Sequence, residues 1–299
     1  MRILVTGSSG FIGQHLCDFL ESKGIEVLPI SLRSDDWVER IDISSNAIIH
    51  LAGKAHDTTN TSNPEEYYII NRDLTIQLFE KFLSSDIQDF IYFSSVKAVA
   101  DEVSGTLTEK TEPNPLTPYG KSKLGAEKYI QSCNIPEGKR VFILRPCMVH
   151  GPGNKGNLNL LYNVVDKGIP WPLAAFSNKR SLLNIDNLLY IVHQLLIREK
   201  LKGGVYQLSD DGIISTNEIV NLISKASGRN SRLWKIHPKL IYGLAKTGDV
   251  LKLPLTTERL KKLTENYVVS NEKIKRELEI ENMPFNLKDG LLKTLSSFN

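Results

Sequence analysis

The stretch Thr6-Gly7-Ser8-Ser9-Gly10-Phe11-Ile12-Gly13 follows directly on the apolar run Ile3-Leu4-Val5. It leads into Ile12, Leu16, Phe19 and Leu20, which recur at helical spacing. A short strand, a glycine turn and an amphipathic helix in that order open a βαβ unit. Glycine permits a tight turn there. It also lets the backbone amides of Gly7, Gly10, Phe11, Ile12 and Gly13 approach a pyrophosphate at the positive end of the helix. The spacing is GxxGxxG and departs from the GxGxxG of the general fingerprint. Placement at the start of the unit therefore carries the reading, and the alternative is a plain strand-to-helix turn.

Working outward, Ile25–Ile30, Ala47–Ala52, Phe90–Ser94 and Val141–Arg145 read as further strands. A helical pattern around Asn71–Leu83 and a longer one beginning near Pro118 lie between them. Strands alternating with helices imply an α/β fold of the Rossmann type, a doubly wound parallel sheet covered on both faces. After Gly151 the rhythm loosens into Gly/Pro/Asn-rich turns, with separate helices at about 216–227 and 271–279. Residues 1–152 and about 181–210 are expected to form the dinucleotide-binding domain. Residues about 153–180 and 211–299 are expected to form a smaller lobe.

Composition sets the outer bounds. The 299 residues are 41% hydrophobic and 24% charged, with a net charge of +3. These ordinary proportions disfavour disorder, collagen-like and coiled-coil structure. The charge balance argues against a nucleic-acid partner, and the short Arg259–Lys262 cluster reads as a solvated helix face. Three dispersed cysteines give neither a disulfide framework nor a CxxC zinc site, and six histidines show no ligand spacing, so no metal is expected. The N-terminus lacks the apolar region of a signal peptide, and no run approaches the length of a membrane span. A cytoplasmic protein without a membrane partner is the expectation.

Two local patterns point to chemistry. The second strand ends in Ile30-Ser31-Leu32-Arg33, with acids only at Asp35 and Asp36. An acid at that strand end favours NAD and a nearby arginine accommodates a 2′-phosphate, so Ser31 and Arg33 lean towards NADP(H) over NAD(H), the alternative being an exposed loop arginine. In Thr117-Pro118-Tyr119-Gly120-Lys121-Ser122-Lys123, Thr117 is a natural N-cap and Pro118 suits the first turn. Tyr119 and Lys123, four apart, share a helix face. An ammonium beside a phenol favours phenolate and brings its pKa toward working pH, which suits proton exchange with a sugar hydroxyl or ketone during hydride transfer.

Thr6–Gly13, Asp42-Ile43, His50-Leu51-Ala52-Gly53, Asn71, Ser94-Ser95, Tyr119 with Lys123, and Leu144-Arg145-Pro146 followed by Gly151-Pro152-Gly153 together carry a likeness. Through them nearly the whole chain resembles the extended short-chain dehydrogenase/reductases, in particular the nucleotide-sugar epimerases, dehydratases and ketoreductases. The resemblance implies that Asp42 and Ile43 flank the adenine, and that Leu51, Ala52, Gly53 and Ser94 line the cofactor. It implies that Asn71 supports the sheet beside it, and that the nicotinamide lies against Tyr119 and Lys123 with Pro146 and Met148 near its ring. Asn154–Leu158, Lys179–Asp186 and Tyr206–Asp210 resemble bacterial enzymes of UDP-N-acetylhexosamine derivatives. In those the residue matching Asn157 meets the sugar diphosphate and the one matching Arg180 meets the nucleotide; the alternatives are a loop asparagine and a surface arginine. Relatives often pair through two long helices, which implies a homodimer using residues 119–132 and 71–83.

Departures from the pattern matter. Counted back from Val99-Ala100-Asp101, the family's catalytic Ser/Thr falls on Val96. Ser95, one place earlier, serves only if the strand end is shifted. Val96-Lys97-Ala98 replaces the acidic pair of the dehydratases, which disfavours water loss. Val96 and Lys97 are counted with the substrate contacts, although Lys97 faces either a substrate phosphate or solvent. Lys54 and His56 stand where the substrate loop begins, and His56 is an outside candidate for a proton donor. The first reading is a reductase of a UDP-4-keto-6-deoxy-N-acetylhexosamine that draws on NADPH. The second is a UDP-N-acetylglucosamine/UDP-glucose-type C4 epimerase with retained NAD, and the third a non-catalytic dinucleotide-binding regulator.

Overall fold

In the computed structural model, residues 1–34, 36–54, 63–154, 156–251, 253 and 255–298 are described. The strands are β1 (Arg2–Thr6), β2 (Glu26–Ile30), β3 (Ala47–His50), β4 (Asp89–Phe93), β5 (Thr106–Leu107), β6 (Arg140–Pro146), β7 (Met148–His150), β8 (Leu182–Asn184), β9 (Gly204–Leu208) and β10 (Val268–Val269). Six of them form a parallel sheet in the order β2-β1-β3-β4-β6-β9. The chain leaves β1 toward β2 on one side and returns to β3 on the other. The crevice at the C-terminal ends of β1 and β3 is therefore the topological switch point, where ligands bind in open α/β sheets.

Both faces of this sheet are buried because successive strand residues point to opposite sides and both sets are apolar. Ile3, Val5, Ile49, Ile91, Phe93, Phe142 and Leu144 face helices α1 (Phe11–Ser22) and α6 (Ile185–Ile197). Leu4, Ile48, Phe90, Tyr92 and Ile143 face α3 (Leu74–Leu83) and α4 (Pro118–Ser132), through Leu78, Phe79, Phe82, Ala126 and Ile130. A second core unites α5 (Asn157–Asp166), α7 (Thr216–Ala226), α8 (Pro238–Leu251), α9 (Thr257–Thr264) and α11 (Leu287–Ser296) around Tyr162, Ile219, Ile223, Ile241, Leu260 and Leu291. Among the described residues no helix is long and apolar enough to cross a membrane.

Several elements differ from the sequence reading. The expected Asn71–Leu83 helix starts earlier, as α2 (Pro64–Tyr68) capped by Asn63, and passes through a π-helical turn at Ile69–Asp73 before α3. The helix expected at 271–279 is α10 (Glu272–Glu277). Sequence periodicity did not reveal α6 or β9. Helix α6 is apolar on most of its circumference, so it lacks the polar contrast that marks a helix.

The glycine turn is dictated by backbone contact. A β-carbon on Gly7 would stand 2.6 Å from the Ala52 nitrogen, and one on Gly13 would stand 2.2 Å from the Gly7 carbonyl oxygen. Gly7 also adopts φ +70°, which β-carbons disfavour. Gly13→Ala is expected to lower the melting temperature by roughly 5 °C or more, as overpacking against backbone leaves no side chain to yield. Thermal unfolding followed by circular dichroism checks this.

Candidate active site

Helix α1 begins at the switch point with Gly10 as its N-cap. No side chain caps it and no acid stands in its first turn. The first amides of α1 and the positive end of its dipole thus face the crevice without an internal anion, the arrangement that receives a pyrophosphate. Gly53 meets the same crevice from β3. A β-carbon there would lie 2.9 Å from Asn71 Oδ1 and 3.2 Å from Lys123 Nζ, so glycine leaves room for both.

A buried hydrogen-bond chain sets these pieces in register. The Ala52 amide donates to Thr6 Oγ1 (3.1 Å), and Thr6 Oγ1 is 2.7 Å from His50 Nδ1. His50 Nε2 is 2.9 Å from Thr75 Oγ1, which donates to the Asn71 carbonyl (2.9 Å). With the Thr75 proton committed to Asn71, His50 donates from Nε2 and accepts at Nδ1, the neutral tautomer. Burial, with Lys123 nearby, pushes the His50 pKa down to about 3, consistent with that state. Asn71, aimed by the π-helical turn, accepts from the Lys54 amide (2.7 Å). Its amide donates to the Lys54 carbonyl (3.1 Å) and Ser122 Oγ (3.2 Å).

Helix α4 carries the proposed catalytic pair. Lys123 is buried, and its ammonium donates to the Phe93 carbonyl (2.8 Å) and sits 4.9 Å from the centre of the Tyr92 ring. Burial lowers its pKa to about 8, against the pull of Glu127 one turn on. Tyr119 is hydrogen-bonded to Ser95. Burial raises the phenol pKa, while that bond acts to lower it. The Tyr67 ring meets Tyr119 edge-on at 6.2 Å, and the Lys54 ammonium pairs with Glu66 near the same ring.

This geometry corrects the expectations for Val96 and for Asp42 with Ile43. The hydroxyl beside Tyr119 is that of Ser95, which caps the short 3-10 turn Val96–Ala98 by accepting from the Lys97 amide (3.2 Å). The strand end is shifted by one residue relative to the motif count, and Val96 is buried in the main core instead of facing a substrate. Asp42 and Ile43, expected at the adenine, lie at the opposite edge. The Asp42 carboxylate takes Arg2 Nη1 (2.9 Å) and the Ser44 amide (2.9 Å), and Arg2 begins β1 where Gly7 follows its end. At ~3.3 Å per residue the strand separates the two places by more than 10 Å. Hydrogen bonds from Ser44, and then Arg2, hold the Asp42 pKa down, a structural role.

The other expected positions are distributed as follows. Ser31 and Arg33 are exposed just beyond β2, Pro146 ends β6 in a buried position, and Met148 is partly exposed. Arg180 donates from Nη2 to the Lys262 carbonyl (2.9 Å) and faces Glu265 at 3.8 Å. The Lys97 ammonium donates to the Asp101 carbonyl (2.8 Å) over the Tyr267 ring. Asn157 starts α5, with only its backbone placement described, and His56 lies outside the described residues.

The sequence reading missed three supports. Glu127 shares the Tyr119–Lys123 face at the next four-residue step; buried, it binds Arg145 (3.0 Å to Nε) and accepts from the Ser94 hydroxyl. Its i+4 spacing was the available signal. Asp101 accepts the Leu116 amide (2.6 Å), the Thr117 amide (3.2 Å) and the Thr117 hydroxyl (3.2 Å), so it holds the start of α4. Gly120 lets α4 touch the 3-10 turn, since a β-carbon there would lie 2.4 Å from the Lys97 carbonyl oxygen.

Gly120→Ala is expected to push Tyr119 away from Ser95 and cost about 10²-fold in turnover with dinucleotide affinity retained; single-turnover kinetics beside a binding titration measure the two. His50 gives a pH signature. Its pKa falls from 6.5 in the unfolded chain to about 3 in the folded one. Between those values only the unfolded chain takes the proton, so stability is lost as pH drops from about 6.5 toward 3. Urea midpoints should fall across that window, and His50→Gln should flatten the decline.

Comparison with known proteins agrees with this architecture. The model of the NAD dependent epimerase/dehydratase family matches residues 3–208. A UDP-glucose 4-epimerase of Vibrio cholerae is 32% identical over 246 residues, 75% of each chain. The UDP-2-acetamido-2,6-beta-L-arabino-hexul-4-ose reductase of Pseudomonas aeruginosa is 28% identical over 244 residues, 78% of this chain and 59% of that protein. Among solved structures, RMD from Pseudomonas aeruginosa complexed with NADPH superposes with a TM-score of 0.77 at 22% identity, covering 100% of this chain and 99% of that one. The UDP-glucose 4-epimerase of Thermus thermophilus in complex with NAD gives 0.76 at 21%, with the same coverage. At these identities the solved structures show a shared fold. From the family match and its relatives, the chain is an enzyme that belongs to the NAD-dependent epimerase/dehydratase family.

Proposed function

We propose that the chain is an NADPH-dependent reductase acting at C4 of a UDP-4-keto-6-deoxy-N-acetylhexosamine. The observation that carries the choice is the end of β2. Ser31 and Arg33 are exposed there, and Asp42, the acid expected near the adenine, is tied to Arg2 at the far edge. A hydroxyl and a guanidinium at that strand end suit a 2′-phosphate better than a bare ribose. The likeness to the Pseudomonas aeruginosa hexulose reductase supports the substrate class.

In this reading the dinucleotide, when bound, supplies the hydride. The protein's own groups handle the proton and the binding. Burial raises the Tyr119 pKa, so the phenol keeps its proton at neutral pH and can give it to the oxygen that develops at C4. Ser95, bonded to the same phenol, holds it in place. Lys123, pinned by the Phe93 carbonyl, supplies positive charge near the phenolate left behind. Gly7, Gly10, Phe11, Ile12 and Gly13 hold the pyrophosphate, while Leu51, Ala52, Gly53, Asn71, Ser94, Pro146 and Met148 form the remaining cofactor wall. Lys54, Lys97, Asn157 and Arg180 are assigned to the UDP-sugar.

C4 epimerisation with retained NAD is the second reading, favoured by the 32% identity to the Vibrio cholerae epimerase. There Tyr119 removes the O4 proton and later returns it.

The test is turnover of UDP-GlcNAc and of its 4-keto-6-deoxy derivative with each nicotinamide cofactor. Oxidation of NADPH by the keto sugar is the expected result, falling about 10²-fold or more in Tyr119→Phe. Arg33→Ala should raise the KM for NADPH and leave that for NADH unchanged. Turnover should decline above about pH 8, where Lys123 loses its charge. NAD that stays bound through purification, with 4-epimerisation of UDP-GlcNAc and no added cofactor, overturns the reductase reading in favour of the epimerase.

A further inference from the structure

Helix α8 is fixed to the second core along one stripe, Ile241, Ala245 and Gly248. A β-carbon on Gly248 would lie 1.8 Å from the Leu255 carbonyl oxygen, so the helix lies directly on the chain that follows it. The Tyr242 ring meets Phe176 edge-on at 5.9 Å, and Asp249 accepts the Thr257 amide (3.0 Å) and hydroxyl (2.7 Å). The outward face is therefore a held surface. At 100° per residue, Leu240, Leu244, Thr247 and Leu251 form one solvent-facing stripe on the flank of the helix, about 100° round from the buried one, with Val250 further out. The exposures are 64% for Leu240, 59% for Leu244, 80% for Val250 and 63% for Leu251, and Trp234 just upstream is 56% exposed.

Charge along this segment of sequence is one-sided. Residues 225–251 contain six Lys and Arg against Asp249, whereas the rest of the chain carries a net charge of −2. Arg229 faces Asp166 (3.7 Å) and Arg232 donates to the Gly168 carbonyl (3.5 Å), which leaves Lys235, Lys239 and Lys246 as the cations on α8 and beside Trp234. Lys239 and Lys246, seven residues apart, run together beyond Val250, on the side of the helix opposite the core. Leucines and an exposed tryptophan bordered by lysines form the pattern of a helix lying in a membrane interface, with apolar groups among acyl chains and cations at anionic headgroups.

We propose that the outward face of α8, with Trp234, adsorbs to an anionic lipid bilayer. The expectation of no membrane partner rested on the absence of a spanning segment, and an interfacial helix needs none. Pairing this face with a second copy brings two basic surfaces together, a repulsion that anionic headgroups convert to attraction. The proposal is independent of which reaction the active site performs.

Trp37 and Trp171 are buried, so Trp234 is a built-in reporter. The full chain is mixed with phosphatidylcholine vesicles, with or without phosphatidylglycerol, and followed by co-sedimentation and tryptophan fluorescence. The expected result is binding to the phosphatidylglycerol vesicles, weakened by salt, with a blue shift that Trp234→Phe abolishes. The double variant Leu240→Gln, Leu244→Gln should bind at least about tenfold more weakly with an unchanged melting temperature, because both side chains are already in water. Wild-type protein that stays in solution with phosphatidylglycerol vesicles overturns the proposal, as does equal binding by the double variant. A wild-type dimer in sedimentation velocity that the double variant dissociates also overturns it, and makes the face a self-interface.

Discussion

The Gly7 α-carbon rests against the Leu51–Ala52 peptide so closely that a β-carbon would stand 2.6 Å from the Ala52 nitrogen. This contact joins the ends of β1 and β3 where the sheet changes direction, and from it the rest of the site follows. The loop must turn back over the start of α1, so the carbonyl of Gly7 comes against Gly13 and the first amides of the helix face the crevice. The Ala52 amide, brought within reach, donates to Thr6 Oγ1 and starts the chain of bonds through His50 and Thr75 to Asn71. A buried polar chain of this kind is stable only when every member is satisfied, which makes it a rigid ruler between β1, β3 and the π-helical turn.

The groups proposed to be catalytic are held by the same kind of buried polar contact. Tyr119, Lys123 and Glu127 are successive four-residue steps on one face of α4, and each is tied to a different strand end. Tyr119 bonds to Ser95 after β4, Lys123 bonds to the last residue of β4, and Glu127 bonds to Arg145 of β6 and to Ser94. A buried carboxylate paired with a buried guanidinium is costly to unpair, about 3–5 kcal/mol when one partner is lost. Helix α4 therefore has little freedom to slide along the sheet.

The segment after Ser95 is held by residues from the C-terminal third of the chain. Lys97 lies over the Tyr267 ring, and the Tyr267 hydroxyl donates to the Ala100 carbonyl (2.6 Å). Asp101, next in the chain, holds the amides of Leu116 and Thr117 at the start of α4. Arg180 stands on the same side, facing Glu265.

Much of this was legible in residue order because it depends on local geometry. A strand running into glycines and then a helix, and Tyr119 four places before Lys123, state their conformation and shared face without reference to the rest of the chain. Where the reading erred, the missing information was a distant partner. Asp42 went to Arg2, 40 residues away, because the path between β2 and β3 brings it back to the strand starts. Ser95 was a candidate only if the strand end shifted, and the length of β4 with the contact of Gly120 with Lys97 sets its hydroxyl at Tyr119. Sequence alone determined the α/β class, the glycine turn and the Tyr119–Lys123 pair, since backbone sterics and helical periodicity act over a few residues. Tertiary structure decided the strand order, the depth of His50, the identity of the third hydroxyl and the outward face of α8, since burial is a property of what packs from elsewhere in the chain.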